Sequence, residues 1–185
     1  MTVARSQPYV PLEDFLEMEP EPGTWREWCA GIVYSMGGGG PEHSRLGARL
    51  GSLLMLRLGA DVFGSNADIW VDAAQFYGQA DASVVCGALR TYTVKRRNKI
   101  LGEAITNPEI IVEVLSPSTA TRDLGVKFEA YKQLTSLREY VLVSQDERRI
   151  EIRRRDKRGW SIETAGPGET IVLHGIELAV DEIYG

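Results

Sequence analysis

The segment EIIVEVLS, residues 109–116, constrains the fold more than any other. Its density of β-branched residues and nearly unbroken apolarity are those of a central strand covered on both faces. Glu113 lies inside that run. An ionised carboxylate in such a strand costs several kcal/mol unless a cation compensates it, so the position demands a metal, a lysine or an arginine. Strand alternation puts Ile111, Glu113 and Leu115 on one face and Ile110, Val112 and Val114 on the other.

A second acidic residue, Asp81, opens the short apolar strand Asp81–Cys86. If the two strands are neighbours, Asp81 and Glu113 meet. Lys127 is the candidate cation, because it follows the Glu113 strand on a helix, one turn from Asp123 and one from Tyr131. That helix is read from TATRDLGVKFEAYKQL, with Leu124, Phe128, Tyr131 and Leu134 as its apolar stripe and Ser116 and Ser118 as turn or capping residues. Two carboxylates and one ammonium make a set suited to a hard dication, Mg²⁺ or Mn²⁺, and to a negatively charged substrate.

Around this centre the pattern is mixed. Prolines break up the first two dozen residues, leaving an arm over 1–24 with one short helix near Leu12–Met18; residues 25–185 read as a single domain. A hairpin follows Trp25, with Ile32, Val33 and Tyr34 on its second strand, and the glycines at 37–40 end it. Leu46, Leu50, Leu53, Leu54 and Leu58 then recur at helical spacing behind Pro41 and Glu42. TYTVKRRNKILGE reads as a loop or excursion. REYVLVS is another buried strand, and ERRIEIRRRDKRGWSIETA alternates across a hairpin with Ile150 and Ile152 inward.

Composition excludes several classes. At 185 residues the chain can bury a core without a metal staple, and no apolar run approaches the roughly 20 residues of a membrane-spanning helix. The N-terminus lacks the apolar core of a signal peptide, which points to a cytoplasmic protein. Cys29 and Cys86 are too few for a cysteine zinc cluster or a disulfide framework and read as buried thiols. A net charge of −5 argues against an indiscriminate nucleic-acid coat, yet basic residues concentrate in VKRRNK (Lys95, Arg96, Arg97, Lys99) and RRIEIRRRDKR (residues 148–158), where a phosphate backbone could lie. No Gly-X-Ser-X-Gly elbow exists and His174 lies in a terminal loop, so a hydrolase triad is disfavoured; the tetraglycine lacks the Lys-Ser or Lys-Thr of a phosphate loop.

The stretch NPEIIVEVLSPSTATRDLGVKFEAYKQLTSLREYVLVS closely resembles the core signature of the Uma-two family, bacterial restriction-endonuclease-like proteins of the PD-(D/E)XK nuclease superfamily. ADASVV resembles the family's Pro-Asp strand, with Ala80 in place of the proline, and EHSRLGARLGSLL resembles its first helix. The resemblance implies an α/β, restriction endonuclease-like fold: a twisted mixed sheet flanked by helices. It implies Asp81 and Glu113 as metal ligands and Lys127 as the superfamily lysine, displaced from the position two residues after the acid, here Leu115, to the following helix. Glu42 and His43 are the candidates for an additional acid or base, and Gln79 and Asp123 for supporting roles. The expected activity is Mg²⁺- or Mn²⁺-dependent hydrolysis of DNA phosphodiesters by a homodimer. The alternative is a catalytically silent scaffold that keeps the fold.

Overall fold

A computed structural model of the chain describes residues 8–19, 21–37, 39–116 and 122–185. Gly38 of the tetraglycine and the expected helix start at Pro117–Thr121, with Ser118, lie outside the described residues. The strand read around Glu113 is β9 (Ile110–Leu115), and it runs parallel to β10 (Glu139–Ser144), with Glu113 opposite Leu142. Parallel neighbours require a crossover. Here it contains a π-helical turn (Asp123–Lys127) running directly into the short helix α3 (Phe128–Tyr131).

β9 and β10 are the centre of a six-stranded mixed sheet. On one side lie β6 (Ala82–Val85) and β3 (Asp61–Gly64), and on the other the hairpin β11 (Ile150–Asp156) and β12 (Gly159–Ala165), all antiparallel to their neighbours. A second six-stranded sheet has the order β2 (Ile32–Gly37), β1 (Thr24–Cys29), β5 (Phe76–Gln79), β4 (Asp68–Val71), β8 (Lys99–Ile105), β7 (Thr91–Arg96). The mixed α/β architecture is therefore divided between two sheets flanked by helices.

Alternation along β9 decides what covers each sheet face. Val112 and Val114 join Val84, Val141 and Val143 against Leu46, Leu50 and Leu54 of α2 (Pro41–Leu58), with the C-terminal hairpin β13 (Thr170–Leu173) and β14 (Ile176–Ala179) and helix α4 (Val180–Tyr184) completing that core. Ile111 and Leu142 face the other way, onto Tyr131, Leu134 and Leu137 of the crossover and Ile69, Phe76 and Ile105 of the second sheet. The outer face of that sheet is closed by α1 (Leu12–Glu17), whose Leu12 and Phe15 pack with Trp28, Trp70 and Tyr77. The Trp28 indole donates to Val10 O at 2.7 Å, tying the segment before α1 to the sheet.

Three expectations need correction. TYTVKRRNKILGE is not a loop: it supplies the hairpin β7–β8, turned at Arg97 with a positive φ of 54°. Its strands carry charged residues because much of the pair is exposed, while Val94 and Ala104 alone point firmly into the aromatic core. Leu124 does not belong to the apolar stripe of the crossover and is 37% exposed. A π-helical turn holds one more residue than an α-turn, so Asp123 instead of Leu124 aligns with Tyr131. Neither cysteine is buried either: Cys86 is exposed just past the end of β6, and Cys29 is partly covered. Among the described residues, no helix is long and apolar enough to cross a membrane.

Leu50, fully buried between α2 and the Glu113 sheet, and Leu56, 76% exposed on the same helix, offer a direct comparison. Leu50→Ala is expected to lower stability by about 2–5 kcal/mol, and Leu56→Ala by less than about 0.5 kcal/mol, in urea unfolding.

Candidate active site

At the edge where β6 meets β9, the ladder ends in side chains. Ala82 is the last residue of β6 paired across to Val112. One step further, the carboxylate of Asp81 replaces the backbone: its Oδ2 accepts from the Val114 N–H at 2.6 Å. Its Oδ1 is 2.7 Å from Nε2 of His43, which projects from the first turn of α2. Each Asp81 oxygen thus receives one contact and retains a second lone pair. The hydrogen bond to Asp81 raises the His43 pKa, against the opposing effect of burial. Protonated His43 therefore stabilises the fold below the ordinary histidine pKa, and that contribution is lost as pH rises through the folded value.

Glu113 is buried at 3% exposure, and its Oε1 lies 2.6 Å from Lys127 Nζ without a well-directed hydrogen bond. Lys127, itself 4% exposed, donates to the Gln79 carbonyl at 2.8 Å and lies 3.3 Å from Glu27 and 3.6 Å from Asp123. Burial opposes the charge on Lys127, but Glu113 and Glu27 outweigh it and hold the ammonium well above the usual range. Burial pushes the Glu113 carboxyl well up, and Lys127 only partly counters it. The i, i+4 placement of Asp123 and Lys127 on the π-helical turn turns both toward Glu113.

Two members of this cluster were not evident in the sequence. Glu27, 1% exposed, reaches in from β1 of the other sheet; its Oε2 accepts from Arg122 Nη2 at 2.6 Å and Nε at 2.9 Å. The Arg122 guanidinium also stacks 3.8 Å from the centre of the Tyr34 ring. In TWREWC, Glu27 sits among charged and aromatic residues and reads as the solvent face of a hairpin. Alternation gave no signal here, since the neighbours Glu27 and Trp28 are both buried because β1 is covered on both faces.

Asp81, Glu113, Lys127 and His43 line one open cleft of about 390 Å³, with Gln79 and Asp123 beside them. Glu42 is not brought to it; its carboxylate is exposed and grips Arg45 at 2.6 and 2.8 Å. Gly39 lies so close to the His43 ring that a Cβ there would come within 2.4 Å of it, which is why backbone alone passes at this point. Within the described residues the cluster holds four carboxylates, Glu27, Asp81, Glu113 and Asp123, against two permanent cations, Arg122 and Lys127.

Several arginines of the basic stretches are engaged elsewhere. Arg96 pairs with Asp14 at 2.9 Å and Glu17 at 2.6 Å; Arg154 pairs with Glu139 at 3.0 Å and Glu163 at 2.9 Å. Arg153 pairs with Glu151, and Arg155 donates to the carbonyls of Lys132 and Leu134. These arginines fasten strands and the crossover together.

Removing one carboxylate from so buried a network strands its cations. Glu27→Gln is expected to cost about 3 kcal/mol in metal-free urea unfolding. A loss below about 1 kcal/mol would mean that Arg122 and Lys127 are held by other groups.

Residues 12–181 match the Uma2 family, whose description reads "Putative restriction endonuclease". An uncharacterized Synechocystis protein, slr1290, is 33% identical over 178 residues, which span 93% of this chain and 90% of that one. A second, sll1609 of the same organism, is 29% identical over 82% of this chain and 84% of its own. Among solved structures, a chain from Anabaena variabilis titled a "putative nuclease belonging to DUF820" superposes with a TM-score of 0.75, covering 95% of this chain and 97% of that one. At 15% identity that likeness is one of fold. The match over nearly the whole chain, together with the relative at one-third identity, makes this protein a member of the Uma2 family of restriction-endonuclease-like proteins.

Proposed function

We propose that the protein is a divalent-metal-dependent endonuclease that hydrolyses phosphodiester bonds in DNA, with Mg²⁺ or Mn²⁺ as its ion. The observation that carries this reading is the convergence of Asp81, Glu113 and Lys127 on one cleft with an imbalance of charge. With its four carboxylates ionised, the cluster carries more negative than permanent positive charge among the described residues, which suits a dication. The donor chemistry agrees: Asp81 keeps lone pairs on both oxygens, and Glu113 Oε1 is a buried carboxylate oxygen whose contact is the Lys127 ammonium at 2.6 Å.

Asp81 and Glu113 would hold the ion. Bound there, a divalent cation supplies a lowered water pKa and a Lewis acid for the phosphoryl oxygen. The chain's own residues do the rest. Lys127, kept charged by the carboxylates around it, faces the same cleft and opposes negative charge developing on the phosphate. Glu27 and the Gln79 carbonyl fix the ammonium in place, and His43 and the Val114 N–H orient the Asp81 carboxylate. A pair of such chains about a two-fold axis would match the symmetry of duplex DNA.

One observation favours the silent scaffold. Lys127 already contacts Glu113 at 2.6 Å, and an ammonium there compensates a buried carboxylate without any metal.

The two readings separate in one assay. Supercoiled plasmid incubated with the protein and Mn²⁺ is expected to be nicked, and Asp81→Asn, Glu113→Gln and Lys127→Met are each expected to slow nicking by about 100-fold or more. Asp81→Asn keeps an acceptor for the Val114 N–H, so circular dichroism should find it folded. No nicking by the parent, or equal nicking by parent and variants, supports the scaffold.

A further inference from the structure

A second group of ligand-type side chains lies at the opposite end of the same strand pair. Because β6 and β9 are antiparallel, Asp81 and Glu113 share one end, while Cys86, just beyond β6, and Glu109, just before β9, share the other. Five residue-to-residue steps of extended chain carry Asp81 to Cys86, about 17 Å. The turn between β13 and β14 brings His174 to this second end. The sulfur of Cys86, a carboxylate oxygen of Glu109 and an imidazole nitrogen of His174 all lie within 4.8 Å of one another. Nε2 of His174 is 3.8 Å from Oε2 of Glu109.

We propose that Cys86, Glu109 and His174 form a zinc-class metal site, distinct from the cleft, that fastens the C-terminal hairpin to the end of the Glu113 sheet.

The ligand types argue for the ion. One thiolate, one imidazole and one carboxylate form a borderline-soft set that favours Zn²⁺ over the hard dications suited to the cleft. Ligands about 2.0–2.3 Å from one tetrahedral ion stand about 3.3–3.7 Å apart. The observed separations exceed that by about 1.5 Å at most, and partly exposed side chains close such a gap by small rotations. Three protein ligands leave a fourth position for water. The Cys86 thiol gives up its proton to solvent as the ion binds.

The backbone holding these side chains is firmly placed. The Glu109 N–H donates to Val84 O at 2.8 Å, and its carbonyl accepts from the Arg138 N–H at 2.8 Å. The His174 N–H donates to Oε2 of Glu139 at 2.9 Å, and Glu139 is buried and held in turn by Arg154. His174 and Gly175 both have positive φ, 47° and 86°, as in the two-residue hairpin turn that asparagine-glycine ordinarily fills. A histidine there holds its imidazole at the hairpin tip, toward Cys86 and Glu109.

Cobalt(II) titration of the purified protein tests this, because a cobalt-bound thiolate has a near-ultraviolet charge-transfer band. The parent, Cys29→Ser and Asp81→Asn are expected to show the band with one equivalent of Co²⁺, and Cys86→Ser to lack it. His174→Asn, which suits the same turn, and Glu109→Gln should each weaken cobalt binding about tenfold or more, with circular dichroism unchanged. Zn²⁺ should displace Co²⁺ and raise the melting temperature of the parent but not of Cys86→Ser. The proposal falls if the parent shows no band, if the band survives Cys86→Ser, or if both His174→Asn and Glu109→Gln bind Co²⁺ as the parent does. None of these outcomes depends on nicking, so the two sites stand or fall separately.

Discussion

A buried carboxylate in the middle of a strand is the constraint that organises this molecule. Glu113 cannot stay ionised in β9 without a cation beside it, and the nearest is Lys127 at 2.6 Å. Lys127 is itself buried and would be as costly alone, so Glu27 arrives from the second sheet and brings Arg122 with it. Charge compensation therefore links the two sheets and the crossover, which apolar packing already presses together through Ile111, Tyr131 and Phe76. Hydrophobic burial holds the layers, and the charge network fixes where they meet.

The crossover has to satisfy both demands. An α-helical register would have pointed Leu124 inward with Tyr131; the π-helical turn admits one extra residue and presents Asp123 and Lys127 instead. Tyr140 donates its hydroxyl to the Asp123 carbonyl at 2.9 Å, supplying a partner inside that irregular turn. Local irregularity at this point converts an apolar stripe into a polar one without exposing the core.

Much of this was legible from letters. Glu113 and Asp81 stand out because each lies in a short apolar strand, Lys127 because it follows on the next helix, and the α2 stripe of Leu46, Leu50 and Leu54 reads directly from its period. Glu27 and Arg122 did not stand out, since each sits among other charged residues and only the second sheet makes Glu27 interior. The β7–β8 hairpin was hidden for the same reason: exposed strands fastened by Arg96 to Asp14 and Glu17 look like a charged loop. His174 and Cys86 are far apart in the chain and isolated in composition, and only the hairpin turn brings them together. What single-sequence patterns miss here is whatever depends on a second layer.

The central claim is that Asp81 and Glu113 share one ion beside Lys127. Anomalous diffraction from a crystal soaked in Mn²⁺ tests it without reference to any substrate. The account predicts a peak about 2.0–2.3 Å from an oxygen of each carboxylate, inside the cleft that His43 and Lys127 line. A cleft with no peak, or an ion touching one carboxylate while Lys127 Nζ keeps its contact with the other, would contradict it.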